Sequence, residues 1–153
     1  MKLSLRGEYA LRALITLGES HSDKVVPIRL ISARQRIPKR FLEQILNDLK
    51  SGGFVESKRG IAGGYRLARP PEQLVLATVI RHVGGAVEPV GRSGGSTARL
   101  ATQADAAQSA IRSVMREASE AMMKVLDGTT IADLCERARQ MRARHAAVPD
   151  YAI

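Results

Sequence analysis

The side chains of this chain that are suited to chemistry are mainly cationic, and they are concentrated in one segment. Eleven of the 24 lysine and arginine residues lie between Lys24 and Arg69, together with only three acidic residues. This segment therefore carries +8 of the net charge of +9 on the whole chain. A positive field focused on one small module, and not spread evenly, is typical of a surface that binds a polyanion.

The chemistry that this segment offers is hydrogen bonding to base edges and to phosphates. Spacing predicts a helix from Pro38 to Lys50 with a buried stripe of Leu42, Ile45, Leu46 and Leu49. On its other face Arg40 could bind guanine, Gln44 could bind adenine, and Glu43 could accept from cytosine. The side chains better suited to phosphates, which set the register without reading sequence, are Arg34, Arg36, Lys39 and Lys58. The alternatives are that these cations form a solvated face and that Glu43 and Gln44 pair locally.

The elements that must position these side chains form a helix-turn-helix followed by a hairpin. A first helix is predicted over residues 5–19 with Ser4 as its cap, and a short helix over about 28–36 follows Pro27. The Ile37-Pro38 pair ends this helix, because a residue before proline is pushed out of helical geometry. Gly52-Gly53 ends the next helix. Strands over 54–58 and 65–67 then flank a glycine-rich turn.

This hairpin is interpreted as the wing of a winged helix, whose tip commonly contacts the minor groove or the phosphates. Glycines in the turn allow positive backbone angles and close approach of another backbone. The candidate contacts to the DNA backbone here are Lys58, Arg59, Gly60, Gly63, Gly64 and Tyr65. The alternative is an ordinary hairpin turn.

The second half of the chain is predicted to carry an oligomerisation element. Residues 74–83 favour a short strand leading into a helix, and residues 84–103, rich in small residues, indicate a flexible loop. From Ala104 to Val125 apolar residues recur at steps of three and four, as in a coiled-coil seam. The predicted dimer contacts are Ile111, Val114, Met115, Ala118, Met122 and Val125. The alternative is that the seam packs on its own domain.

The predicted fold class is therefore mainly α with a small β-hairpin wing. A winged helix-turn-helix domain spans 1–83, the flexible loop spans 84–103, and a long dimerisation helix with a short terminal helix spans 104–145. Thr129 or Thr130 is expected to cap the terminal helix, which runs from Ile131 to about Arg144. A frayed tail over 146–153 completes the chain.

Other functional classes find little support in the residues. The single cysteine, Cys135, excludes an internal disulfide and a cysteine-based metal cage within one chain. His21, His82 and His145 lack the spacing of metal ligands, so a structural or solvent role is expected and no metal site is predicted. No Ser/His/Asp grouping lies on one element and no phosphate-cradling loop precedes a helix, so we predict no catalytic residues and no enzyme.

The sequence also bears on the location of the protein and on the reactivity of its cysteine. No apolar run approaches the roughly 18 residues of a membrane span, and the start lacks a secretory stretch. A soluble cytoplasmic protein without membrane contact is expected. Cys135 could act as a redox sensor, but its acidic setting between Asp133 and Glu136 raises a thiol pKa, which favours an inert, partly buried residue.

Three segments resemble a known family. The string 59–69 (RGIAGGYRLAR), preceded by 41–46 (FLEQIL), is similar to the Rrf-two family of bacterial repressors, the IscR, NsrR and CymR type. The opening 3–14 (LSLRGEYALRAL) and the late segments 111–116 and 126–134 resemble it as well. The likeness covers about residues 1–83 strongly and 109–135 fairly well.

The resemblance implies a homodimeric winged-helix transcription regulator that binds a partly palindromic operator. Residues Pro38, Lys39, Arg40, Phe41, Glu43 and Gln44 would then enter the major groove and read bases, and Arg59 would enter the minor groove. Many members hold an iron–sulfur cluster through three cysteines before the dimerisation helix, and some offer a carboxylate where Glu8 stands. No cysteine lies between Gly84 and Ser109, and Ser93 or Ser109 would be a poor replacement for a thiolate. A member without a cofactor is therefore predicted.

The resulting interpretation is a homodimeric, sequence-specific DNA-binding regulator, acting as a repressor, whose operator affinity is set by a regulatory partner protein, a small ligand or the lone thiol. The alternative is a protein-interaction module with non-specific affinity for nucleic acid, in which the seam over 104–125 binds a different protein. Binding of double-stranded RNA is a further alternative. It conflicts with a helix that reads the major groove, because that groove is too narrow in A-form duplexes.

Overall fold

The computed structural model describes residues 3–20, 24–84 and 103–147. Six helices and one hairpin follow one another within these ranges. Their bounds are α1 Leu5–Gly18, α2 Ile28–Gln35, α3 Lys39–Ser51, β1 Val55–Lys58, β2 Gly64–Leu67, α4 Leu76–Gly84, α5 Gln103–Asp127 and α6 Ile131–Ala147, with a single 3-10 turn at Pro71–Gln73 before α4. The strands pair antiparallel and form a two-stranded sheet.

Helix α1 lies at the centre of the fold. The predicted cap is confirmed, because the Ser4 hydroxyl accepts a hydrogen bond from the Gly7 N–H at 3.0 Å. Small and aliphatic residues at helical spacing bury one side of α1 completely, and α3, α4 and α6 all pack against it. The small side chains of Ala10 and Ala13 allow these neighbours to approach closely, since both are fully buried.

The hydrophobic core is aliphatic and continuous from the helix-turn-helix to α6. Its largest fully buried members are Leu14, Ile31, Ile37, Leu42, Leu46, Leu49, Leu74 and Ile131. Phe54 is the one buried aromatic side chain in the described part of the chain. Because Ile131 and Cys135 belong to the same core, the first turns of α6 are part of the packing that holds α1 in place.

Several element boundaries differ from the sequence predictions for local reasons. Helix α2 ends at Gln35, one residue early, because Arg36 adopts a left-handed φ of 52° while its N–H donates to Ser32. The predicted strand before α4 is a single bridge between Val75 and Thr130. Helix α6 continues to Ala147, beyond the predicted end near Arg144.

Some predictions fall outside the described residues. These are most of the loop over 84–103 with Ser93, the tail over 148–153, and His21. Within the residues that are described, no helix combines the length and the apolar character that a membrane crossing requires.

Candidate nucleic-acid interface

Helix α3 presents the predicted reading face to solvent. Its stripe of Leu42, Ile45, Leu46 and Leu49 is buried, as predicted. All six predicted base-reading residues are exposed, and they occupy the first turns of the helix and the residue before it: Pro38, Lys39, Arg40, Phe41, Glu43 and Gln44. Lys39 and Glu43 lie 3.9 Å apart as an i,i+4 ion pair, so the predicted alternative of local pairing applies in part to Glu43.

The cations around α3 are available to an external anion. Arg34, Arg36 and Arg40 are exposed, and none of them forms an ion pair with a residue in the described ranges. An exposed, unpaired guanidinium can bind a phosphate or a guanine edge without first breaking an internal bond. The geometry of this face therefore suits a polyanion.

The turn between α2 and α3 is fastened from α1. The Arg12 guanidinium donates to the main-chain carbonyl of Gln35, at the last residue of α2, and its Nε lies 3.3 Å from the Gln35 side-chain oxygen. The Gln35 amide in turn donates to the Thr16 hydroxyl at 2.8 Å. Within the turn, the Ser32 hydroxyl donates to the Ile37 carbonyl at 2.6 Å. A cation beside the C-terminal carbonyls of a helix also interacts favourably with the helix dipole.

The far end of α3 is held by two other helices. His82 of α4 places its Nε2 atom 2.7 Å from the Asp48 carbonyl oxygen, so this nitrogen carries the proton and donates. The His82 ring also lies against Phe54, with centroids 5.4 Å apart. The Asp48 carboxylate accepts from Arg6 of α1. Side chains from α1 and α4 therefore hold the C-terminal part of α3, and α1 also holds the end of α2 before it.

The wing is a short hairpin anchored to the body of the domain. Val55 pairs with Leu67 and Lys58 with Gly64 at its two ends. Main-chain hydrogen bonds of 2.7 and 2.9 Å tie Tyr65 of β2 to Val26. Gly64 is required there, because a Cβ atom would lie 2.4 Å from the Val26 carbonyl oxygen.

The predicted wing residues differ in their exposure. Lys58, Arg59 and Gly60 are exposed, whereas Gly63, Gly64 and Tyr65 are half-buried. Gly60 has a φ of +110°, which only glycine adopts readily. Lys50 of α3 donates to Ser57 of β1 at 2.7 Å, so a hydrogen bond joins the hairpin directly to α3.

Helix α5 leaves an apolar stripe in solvent. Four large members of the predicted seam are exposed: Ile111, Val114, Met115 and Val125. Ala118 is also exposed, and Met122 is partly buried. Helix α4 is the main neighbour of α5, and Arg81 reaches Asp127 at 3.1 Å. The alternative that the seam packs on its own domain is therefore not realised in the described residues.

Comparison with known proteins agrees with this geometry. The chain matches the Rrf2 family, described as iron-dependent transcriptional regulators, over residues 3–137. It is 32% identical over 146 residues to the HTH-type transcriptional regulator NsrR of Geobacillus kaustophilus, covering 94% of this chain and 95% of that protein. It is 29% identical over 134 residues to CymR of Bacillus subtilis, with 88% and 89% covered. The chain belongs to the Rrf2 family.

Solved structures of the family share the fold. The structure of CymR, the global cysteine regulator of B. subtilis, superimposes with a TM-score of 0.76 at 28% identity and covers 90% of this chain and 98% of that one. The structure of T. potens IscR gives 0.65 at 27% identity, with 98% and 93% covered. This Rrf2 protein is thus a winged-helix, DNA-binding transcriptional regulator and not an enzyme.

The iron in the family description does not fit the donors of this Rrf2 chain. Iron–sulfur clusters are held mainly by several thiolates, whereas Cys135 is the single cysteine of the whole sequence. Across residues 3–20, 24–84 and 103–147, no group of three or more histidine, cysteine or acidic side chains is arranged to hold a metal ion. Glu8 is exposed and pairs with Arg12 at 3.4 Å.

Cys135 lies in the core, with its thiol 3.6 Å from the Ile15 carbonyl oxygen. Burial, and next the negative charge of Glu19, raise the pKa of the Cys135 thiol to about 11, against the opposing influence of Arg139 and Arg142. A thiol with such a pKa is almost entirely protonated at neutral pH and reacts slowly. The environment therefore favours the inert role over the redox role.

The sequence does not reveal the side chains that hold helices α2 and α3, together called the reading head, in place. The sequence predictions do not include Arg12, Gln35 and Arg6, whose partners on other helices lie 19 to 42 residues away along the chain. No local pattern marks such contacts. The i,i+4 spacing of Glu8 and Arg12 signals a helix-surface pair but gives no sign of the longer reach to Gln35.

Proposed function

We propose that this Rrf2 regulator is a homodimeric repressor that binds a partly palindromic operator and carries no iron–sulfur cluster. The observation that carries the proposal is the exposed, unpaired Arg40 beside Gln44 on α3, within a segment of net charge +8. Arg40 would bind a guanine and Gln44 an adenine, with Pro38, Lys39, Phe41 and Glu43 completing the base-reading face.

The remaining cations would set the register on the duplex. Arg34 and Arg36 would bind phosphates beside the major groove, and Lys58 would do so from the wing. Arg59 would enter the minor groove, while Gly60, Gly63, Gly64 and Tyr65 shape the turn that brings it there. Exposure of the two arginines and of Lys58 and Arg59 supports this assignment.

The dimer would form along α5, within the dimerisation unit over residues 104–145. Its exposed stripe supplies apolar surface that a second copy would cover. Ala118 lets two such helices approach closely. Two reading heads related by a twofold axis would contact half-sites roughly one helical turn apart, about 34–36 Å.

Without a cluster, the signal that sets operator affinity would come from a small ligand or a partner protein. A cleft of about 290 Å³ lies between α1 and α3 and is lined by Leu5, Arg6, Tyr9, Phe41, Gln44 and Ile45. A ligand there would touch two of the proposed base-reading side chains. Purified protein with iron–sulfur absorbance in visible light would reject the cluster-free part of the proposal.

Selection of binding sites from random duplexes tests the central claim. A recovered motif with dyad symmetry supports an operator-specific dimer. Equal binding of all duplexes with a steep dependence on salt would support the alternative of a protein-interaction module with non-specific affinity.

Two variants then separate base reading from backbone contact. Arg40→Ala should cost about 1–3 kcal/mol at the selected site and relax the preference at one base pair. Lys58→Ala should weaken binding to all duplexes alike and reduce the salt slope by about one unit. Indistinguishable effects of the two changes would show that the reading face is assigned wrongly.

A further inference from the structure

The tip of the wing carries a large apolar side chain that the fold does not use. Ile61 is fully exposed. It occupies the second position of a four-residue turn, closed by a hydrogen bond of 3.0 Å from the Gly63 N–H to the Gly60 carbonyl. The last strand pair is Lys58 with Gly64, so Ile61 stands beyond the paired part of the hairpin.

The charge around this tip is positive and uncompensated. Lys58 and Arg59 are exposed and form no ion pair with any residue in the described ranges. Glu56 is the acidic residue of the hairpin, and its carboxylate is held by two hydrogen bonds from Arg66, at 2.9 and 3.1 Å. The tip therefore combines an apolar end with cations suited to phosphates.

The base of the wing is anchored to the body of the domain. Two hydrogen bonds join Tyr65 to Val26, and another joins Lys50 to Ser57. Val55 at the base of β1 is fully buried. A single exposed isoleucine is common on protein surfaces. Ile61 differs because it lies at the end of an anchored, positively charged hairpin.

We propose that Ile61 is a wedge that enters the minor groove and partly unstacks one base step of the operator. Proteins that bind the minor groove frequently insert an aliphatic side chain between bases and bend the duplex. Pyrimidine–purine steps unstack most easily. Ile61 would therefore select for such a step beneath the wing, a preference that none of the base contacts of α3 supplies. The inference rests on the proposed function.

The experiment uses the operator duplex selected with the wild-type protein. Dyes at the duplex ends report bending through energy transfer, and 2-aminopurine at the step beneath the wing reports unstacking through its fluorescence. The variants are Ile61→Ala, Ile61→Leu and, as a control at another exposed apolar side chain on α6, Met141→Ala. Because Ile61 touches nothing else, its variants should keep the wild-type melting temperature.

Ile61→Ala should lower operator affinity about tenfold, since the carbons removed would be only partly covered in the groove. It should also reduce bending and quench the 2-aminopurine signal, while Ile61→Leu and Met141→Ala behave as wild type. A selection repeated with Ile61→Ala should lose the pyrimidine–purine preference.

Unchanged bending and fluorescence in Ile61→Ala would overturn the wedge, whether or not affinity falls. The proposed function would survive that result, because the wild-type protein would still have selected a site. If the wild-type protein selects no site at all, the proposed function fails, and the wedge fails with it.

Discussion

Replacing Arg12 by methionine tests whether α1 positions the reading head. The change keeps most of the aliphatic stem and removes the guanidinium that bonds to the Gln35 carbonyl and side-chain oxygen. A hydrogen bond to a charged group contributes about 1.5–3 kcal/mol, and the exposed pair with Glu8 adds only a few tenths. Because the Arg12 side chain is 34% exposed, we expect the free energy of unfolding to fall by about 2 kcal/mol, near the low end of this range.

The expected loss corresponds to a fall of about 4–8 °C in melting temperature for a chain of this size, at a fixed protein concentration. Urea unfolding measures the same free energy. Operator affinity should fall further than stability alone explains. Without the Arg12 guanidinium, the turn containing the left-handed Arg36 loses two hydrogen bonds to α1 and keeps the one from Gln35 to Thr16.

Two controls make the result interpretable. Gln35→Ala leaves the main-chain carbonyl that Arg12 binds, so it should cost less than Arg12→Met; Thr16 then loses one donor but still donates to the Arg12 carbonyl at 3.0 Å. Arg139→Met removes an exposed pair with Glu136 and should be nearly neutral. Equal effects of Arg12→Met and Arg139→Met on stability and DNA binding would refute the reasoning.

Two further outcomes follow from α5 and α6. Val114→Asp places a charge in the exposed stripe and should convert the dimer to monomers in sedimentation; a dimer that persists would place the interface elsewhere. Cys135, with its pKa raised to about 11, should react with iodoacetamide slowly at pH 8 and faster as pH rises towards 11. Its protonated thiol favours the folded state below about pH 9, and this contribution is lost as pH rises through 11. A reaction rate that levels off near pH 9 would contradict the burial argument.

The sequence predicted most of the architecture because local rules act at each boundary. Ser4 caps α1, and the Ile37-Pro38 pair precedes α3, as their residue types require. The Thr130 cap is also local: its N–H and hydroxyl bond to the Asp133 carboxylate at 2.8 and 2.9 Å, which lowers the pKa of Asp133. Each of these features is decided by residues within about four positions of one another.

The candidate site was predictable only in its exposed part. The buried stripe of α3 determines which of its residues face solvent, so Arg40 and Gln44 could be selected from spacing alone. The contacts from Arg12 and His82 could not, because they depend on how α1 and α4 pack against the helix-turn-helix. Neighbouring residues in the sequence thus determine the secondary-structure elements and their exposed side chains, whereas tertiary contacts determine the orientation of the reading head.

A series of contacts also connects the proposed dimer helix α5 to helices α2 and α3. Thr130, between α5 and α6, is bridged to Val75 just before α4, and Arg81 of α4 pairs with Asp127 at the end of α5. The start of α6 is buried in the core around α1. Helix α1 in turn holds the α2–α3 turn through Arg12. In the proposed dimer, the spacing of the two reading heads should therefore follow from how the two α5 helices pair. A change in that pairing would then alter operator binding without a change in any side chain that is proposed to contact DNA.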